Sequence, residues 1–226
     1  MSRDRGFPGE TRSRLTSLLR SRNARMDDLI PFPLPPGQLA EIEAAHAQPP
    51  RAYHHFGHVR ALLRHFHDVA AGPGWRQPRE VALAMLYHDA IYEAGRGDNE
   101  LRSAQLARES IARWLPDAGI DAGRVVQLIE LTARHGSLRG DELDADAALF
   151  LDSDMAILGA PPEVFDAYDR GIAEEYRGKV PGFLFRINRR RFLKGVLAQP
   201  RIFFSDFFHV RLDAQARENL HRVLGA

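Results

Sequence analysis

Three groups of side chains along the chain could together bind a divalent metal ion. They are His58, the adjacent pair of His88 and Asp89, and an acid at either Asp152 or Asp154. Imidazole nitrogens and carboxylate oxygens that converge from separate helices form a mixed site for such an ion, which can activate water for hydrolysis. The chain has no cysteine, which excludes a thiolate metal site and a cysteine nucleophile. The residue types therefore predict a metal-dependent hydrolase.

The residues before each acid indicate that both acids are buried. Residues 81–87 carry no charge and lead directly to His88 and Asp89, and residues 147–151 are equally apolar and lead to Asp152. A buried carboxylate is costly unless a positive partner compensates it. A metal ion shared between the two segments supplies that partner.

Helical periodicity, interrupted by proline and glycine, covers most of the chain, and no stretch shows sustained strand alternation. We therefore predict an all-α helical bundle. An extended connector is predicted over residues 31–37. The helical segments are predicted at residues 38–47, 54–71, 78–92, 99–115, 121–135, 144–159, 162–177, 183–198 and 213–224.

Composition limits the class of protein. With 226 residues, 44% of them hydrophobic, the chain can form one domain with a substantial core. The net charge of +1 gives no overall field that would favour nucleic acid or a membrane surface. No apolar run approaches the roughly 20 residues that span a bilayer. We expect a cytoplasmic protein, and the sequence leaves its oligomeric state open.

The first 25 residues form a separate, arginine-rich segment. They hold seven arginines against two acids, Asp4 and Glu10. This composition resembles an organellar transit peptide, and the alternatives are a disordered leader or upstream sequence before a true start at Met26. We expect a disordered leader over residues 1–25 and a single domain over residues 26–226, with organellar import if the leader is genuine.

Further histidines lie near His58. On a continuous helix His54 and His58 are one turn apart, so both could point into one cavity, which makes His54 a candidate general acid or base. His65 lies two turns from His58, about 10.5 Å along the axis, too far to bind the same ion. For His55 a structural or phosphate-binding role is expected.

The order of His58, His88 with Asp89, and Asp154 resembles the HD-domain superfamily of metal-dependent phosphohydrolases. Residues 53–58, Tyr-His-His-Phe-Gly-His, are similar to the Tyr-His-Asn-x-x-His motif of the cyclic-nucleotide phosphodiesterases in that superfamily. The resemblance implies that His58, His88, Asp89 and Asp154 bind the metal. It also implies that His54 protonates the leaving group.

Most of the chain from about residue 39 onward is similar to an uncharacterised bacterial group of predicted HD-domain phosphohydrolases. The similarity includes residues 88–92, 98–103, 150–159 and 175–176. It implies that Asp154 is the late metal ligand, while Asp152 supports the ligands from behind.

In two places the sequence departs from the pattern of the superfamily, and these departures bear on the number of metal ions and on the substrate. Between Asp89 and the late acids the chain has one histidine, His135, whereas two-metal enzymes carry several, so one ion is expected. Tyr92 and Glu93 stand where the cyclic-nucleotide enzymes place a further histidine, which argues against a cyclic nucleotide as the substrate.

Candidate substrate contacts lie outside the metal ligands. Asn99 follows the His-Asp segment after a short loop and could border the cavity, although Asp98 and Asn99 would also cap the next helix. Lys179 and Arg189 are candidates for phosphate contacts, because a phosphohydrolase needs cations beside its metal.

We therefore expect a hydrolase of a phosphoester or phosphoanhydride in a nucleotide-like small molecule. Its cofactor would be one divalent ion of Mn, Fe, Co, Ni or Zn, with His54 as general acid and Asp89 as a residue that orients water. One alternative is a catalytically silent module that binds a nucleotide or partner protein. Another, a di-iron oxygenase, would need more histidines than the chain offers.

Overall fold

The computed structural model describes residues 26–48, 51–136 and 138–225. The predicted leader, residues 1–25, lies outside these described residues. The described chain contains helices, turns and irregular segments and no strand, which confirms the all-α prediction. None of the described helices is both long and apolar enough to cross a membrane.

Nine helices of ten or more residues make up the described part of the chain, after a single turn at Met26–Leu29. Short 3-10 helices lie at Gly140–Glu142 and Ala156–Gly159. The nine helices are α1 (Pro36–His46), α2 (Phe56–Ala71), α3 (Pro78–Tyr87), α4 (Asn99–Trp114), α5 (Ala122–Thr132), α6 (Ala145–Met155), α7 (Pro162–Glu175), α8 (Gly182–Leu197) and α9 (Asp206–Leu224).

Each predicted segment overlaps one of these helices, but several predicted ends are wrong. Helix α2 begins at Phe56 and not at residue 54, because the His55 side chain caps it by accepting a hydrogen bond of 2.9 Å from the Gly57 amide. Helix α3 ends at Tyr87, so residues 88–92 form a turn and loop and not its last turn.

Two further ends were also misplaced. Helix α9 begins at Asp206, well before the predicted residue 213, with the Ser205 hydroxyl as its cap. Helix α1 begins at Pro36, inside the predicted connector, since proline is tolerated in the first turn of a helix.

The apolar side chains form two core clusters. The first includes residues from α1 to α6 and surrounds α3, whose residues 81–87 are 0% exposed. The second includes residues of α6 to α9. Helix α6 contributes to both clusters, with Phe150 in the first and Leu149 in the second. The C-terminal end of α6, which carries Asp154, is therefore fixed from two sides.

Arg51 fixes the segment before α2 to the turn after α3. One guanidinium nitrogen donates to the carbonyl oxygens of His54 at 2.9 Å and Asp89 at 2.7 Å, and the other donates to the carbonyl of Ala90 at 2.8 Å. These bonds hold the backbone of His54 next to that of Asp89, so two predicted site residues are placed by a third side chain.

We predict that Gly159→Ala lowers the free energy of unfolding by about 1–3 kcal/mol, the usual cost of overpacking. A Cβ at Gly159 would lie 2.6 Å from the Cβ of Leu212 and 2.8 Å from its carbonyl oxygen, so the turn after α6 or helix α9 would have to shift. Urea denaturation of the purified variant measures the effect.

Gly195→Ala is the matched control, because Gly195 is exposed within α8 and a Cβ there would meet nothing within 4 Å. This substitution should stabilise the helix by roughly 0.5–1 kcal/mol, since glycine is a poor helix former. If both variants changed stability alike, the close approach of Leu212 to Gly159 would have no energetic role.

Candidate metal centre

The predicted ligands come from two helices and from the turn that follows a third helix. His58 lies in the first turn of α2, His88 and Asp89 follow the last residue of α3, and Asp154 lies in the last turn of α6. The two histidines are buried, whereas the side chains of Asp89 and Asp154 are 14% and 18% exposed. Partial exposure of both acids leaves a route from solvent to the group.

Four side-chain atoms converge at this point. His58 Nε2 lies 3.0 Å from His88 Nε2 and 3.0 Å from Asp154 Oδ1. His88 Nε2 lies 2.9 Å from Asp89 Oδ2. The crossed distances are slightly longer, at 3.5 Å from His58 Nε2 to Asp89 Oδ2 and 3.5 Å from His88 Nε2 to Asp154 Oδ1. Each imidazole nitrogen therefore contacts the other nitrogen and both carboxylates.

These separations fit the ligands of a single metal ion. Two ligand atoms that are each about 2.0–2.2 Å from one ion lie about 3 Å apart at a right angle and about 3.4 Å apart at a tetrahedral angle. Ligand atoms of His58, His88 and Asp154 all lie within 4.8 Å of one another. Asp89 joins the group through its contacts with both nitrogens. Two nitrogens and two carboxylate oxygens suit a borderline divalent ion.

Electrostatics also favours a cation here. Burial opposes a charge on His88, but Asp89 and Asp154 outweigh it and raise the pKa of His88 well above its usual value. Burial likewise opposes ionisation of Asp154, but hydrogen bonds from His58 and His88 hold its pKa well below the usual range. The two ionised carboxylates, Asp89 and Asp154, are stabilised by positive charge between them. A proton on His88 or a divalent ion can supply that charge.

The orientation of His88 suits a ligand. Its Nδ1 lies 3.0 Å from the carbonyl oxygen of Met85, which can only accept a hydrogen bond, so Nδ1 carries a proton. In neutral His88 the lone pair is then on Nε2 and faces the group. Burial lowers the pKa of His58, which favours its neutral, ligating form.

His54 lies beside this group and is held by a buried acid that the sequence prediction missed. Glu175 Oε1 accepts hydrogen bonds from the backbone amides of Tyr53 at 2.7 Å and His54 at 2.9 Å, and Glu175 Oε2 lies 2.6 Å from His54 Nδ1. Burial would raise the pKa of Glu175, but these contacts, led by that of His54, lower it. The His54 ring also stacks on Tyr92, with centroids 3.9 Å apart.

The pairing with Glu175 fixes the chemistry available to His54. An ionised carboxylate can only accept, so His54 Nδ1 donates to it, and Nε2 is left to exchange a proton with a substrate. The centroids of the His54 and His58 rings are 5.9 Å apart. His54 therefore stands next to the metal group as a separate acid or base, although it lies in the segment before α2 and not on the helix as predicted.

Asp152 and Asp154 point to different places. Asp152 accepts hydrogen bonds from the backbone amides of Phe204 at 2.8 Å and Ser205 at 2.7 Å, and from the Ser205 hydroxyl at 2.6 Å. Burial raises its pKa to about 6, against the effect of these bonds. Asp152 thus holds the segment before α9, and Asp154 is the acid that reaches the histidines.

The three residues predicted to contact the substrate, Asn99, Lys179 and Arg189, lie among groups other than the metal ligands. Asn99 bonds to the backbone amide and carbonyl of Glu93, both at 3.0 Å. Arg189 bonds to Asp169 at 2.9 Å and lies over the ring of Tyr168. Lys179 lines a separate polar cavity of about 260 Å³. Asn99 and Arg189 therefore have protein partners of their own, whereas the cavity beside Lys179 shares Tyr92 and Glu175 with the surroundings of His54.

Three other histidines, His55, His65 and His135, lie outside the four converging atoms. His135 contacts the carbonyl oxygens of Thr132 at 3.1 Å and Leu151 at 3.0 Å, which ties the end of α5 to α6. His55 and His65 line a cavity of about 510 Å³ that also includes His58 and Asp154 in its wall. We call this space the apolar cavity, since most of the residues around it are aliphatic.

No protein-family model, no curated protein and no solved structure matches the chain. The resemblance to the HD-domain superfamily therefore stays a prediction, and the case for a function depends on the geometry of the site.

We predict that Asp154→Ala abolishes metal binding, whereas Asp152→Ala retains the metal. Of these two acids, Asp154 is the one that contacts the two histidines. Asp152→Ala should instead lower stability by about 1–3 kcal/mol, because it leaves buried donors unpaired. Metal per chain, measured by plasma mass spectrometry after dialysis, and the unfolding temperature separate the two effects. The reverse result would make Asp152 the ligand.

Addition of a divalent ion should raise the unfolding temperature of the metal-free protein, while removal by a chelator should leave its helical circular dichroism mostly unchanged. The apolar clusters hold the helices, and binding to the folded state alone adds about 2.7 kcal/mol at a hundredfold excess over Kd. Loss of helix on chelation would show that the metal is structural.

Proposed function

We propose that this protein is a metal-dependent phosphohydrolase that acts on a phosphoester or phosphoanhydride in a nucleotide-like small molecule. The observation that carries the proposal is the convergence of His58, His88, Asp89 and Asp154 beside the pair of His54 and Glu175. A metal group and an adjacent proton donor can together catalyse the cleavage of a phosphate ester.

The four converging residues would hold one divalent ion of Mn, Fe, Co, Ni or Zn. Such an ion lowers the pKa of water and polarises phosphoryl oxygens. Asp89 is suited to orient the attacking water, because its carboxylate is partly exposed and ionised. Burial opposes its ionisation, but the neighbouring histidines, led by His88, lower its pKa. An ionised carboxylate accepts a hydrogen bond from water and so directs a lone pair toward phosphorus.

His54 is suited to protonate the leaving oxygen. Glu175 accepts the proton on Nδ1, so that Nε2 faces away from Glu175 and can carry a second proton and donate it as the ester bond breaks. The stack on Tyr92 and the two backbone bonds to Glu175 restrict the position of the ring. The role of Glu175 is to position His54 and not to contact the substrate.

We predict that His54→Ala keeps full metal content and near-native stability but loses about 10²–10⁴ in turnover of an alkyl phosphate. The loss should be much smaller for a nitrophenyl phosphate, because a good leaving group departs without a proton. Glu175→Gln should show the same dependence on the leaving group to a smaller extent. Phosphate release from the two esters measures both variants.

His221→Ala is the control, since His221 is exposed near the end of α9, and it should change neither rate. An equal loss on both esters would mean that His54 positions the substrate. Loss of metal from His54→Ala would make it a ligand. If the metal-loaded wild-type protein binds phosphate esters without turnover, the silent binding module is favoured.

A further inference from the structure

The apolar cavity adjoins the metal group directly. His58 and Asp154 form part of its wall, and Ala61, one helical turn after His58 on α2, continues that wall away from the ligands. Its volume of about 510 Å³ lies within the range of small-molecule sites, roughly 300–1,000 Å³. The cavity is therefore large enough, and close enough to the metal group, to hold the ester substituent of a phosphate at that group.

The wall of the cavity is almost free of charge. Asp154 is its one acid, and the residues that line it include neither lysine nor arginine. Its remaining titratable groups besides His58 are Tyr53, His55 and His65, and burial lowers the pKa of His65, which favours its neutral form. The other lining side chains are mainly aliphatic, among them Leu62, Ala156, Ile157, Pro161, Val164 and Leu212.

A second phosphate would be unfavourable in these surroundings. A charged group that leaves water without a compensating partner loses far more free energy than an apolar group gains there. Arg51 and Arg189 are already occupied, since Arg51 donates to three backbone carbonyls and Arg189 is paired with Asp169. Apolar surface, in contrast, gains free energy from burial in proportion to its area.

We infer that the substrate is a phosphate monoester of an uncharged, mainly apolar organic group, which occupies the apolar cavity while its single phosphate meets the metal group. The inference rests on the proposed function, because it assigns the substrate of that same site. It narrows the substrate class and disfavours di- and triphosphates.

The test is a series of n-alkyl phosphonates from methyl to hexyl, which cannot be hydrolysed, titrated by calorimetry into the full chain saturated with zinc. Affinity should rise with each added methylene, by up to about fourfold per step, as expected for burial of a CH₂ group. Tripolyphosphate should bind more weakly than hexylphosphonate. An affinity that is independent of chain length, or tighter binding of tripolyphosphate, would overturn the inference.

A pair of variants locates the effect. Ala61→Leu fills part of the cavity and should remove most of the gain from the longer chains while methylphosphonate binds as before. Ala70→Leu places the same side chain at an exposed position of α2 and should leave the whole series unchanged. If Ala61→Leu does not fold, as judged by circular dichroism, the wild-type series still decides.

Phosphate release from methyl and hexyl phosphate, measured in parallel, separates this inference from the proposed function. Binding that strengthens with chain length but yields no phosphate would support the cavity assignment and refute the hydrolase. Release from both esters without any preference for chain length in rate or binding would refute the cavity assignment and leave the hydrolase standing.

Discussion

Two ionised carboxylates held against two buried imidazoles are the interaction on which the rest of the site depends. Asp89 and Asp154 would be unfavourable neighbours in a protein interior unless positive charge lay between them. The structure places both His58 Nε2 and His88 Nε2 within 3.5 Å of both acids. A proton can satisfy this arrangement in part, and a divalent ion satisfies it fully, since it balances two negative charges and accepts all four lone pairs.

The surrounding helices hold this arrangement by contacts that are not themselves part of it. Met85 orients His88, Arg51 ties the backbone of Asp89 to that of His54, and Glu175 orients the ring of His54. Helix α6 contributes side chains to both core clusters, so a shift of the helix end that carries Asp154 would disturb both clusters. These contacts hold the four candidate ligands in place, which would reduce the cost of ordering them on binding an ion.

Sequence reasoning predicted the helices and the converging residues, and it failed where contacts are long-range. An uncharged run such as residues 81–87 indicates burial directly, so the buried position of His88 could be predicted from the pattern alone. Asp89 and Asp154, which the pattern predicted to be buried, are 14% and 18% exposed. Glu175 reaches His54 from 121 residues away, and such a side-chain bond leaves no periodic trace. Asp152 lies in the same apolar helix as Asp154, and only the packing of residues 204 and 205 shows that it binds backbone amides. The ends of α2 and α3 were misjudged because a histidine cap and a helix that stops after Tyr87 have no strong sequence signal.

We propose that one divalent ion binds where the four atoms converge. The most direct measurement is a crystal structure of the protein grown with cobalt, with anomalous difference maps collected on either side of the cobalt absorption edge. We predict one strong peak per chain, from a cobalt ion bound to His58 Nε2, His88 Nε2, Asp89 Oδ2 and Asp154 Oδ1. A map without a peak at this position, or with the cobalt bound at Asp152 or at surface histidines instead, would contradict it.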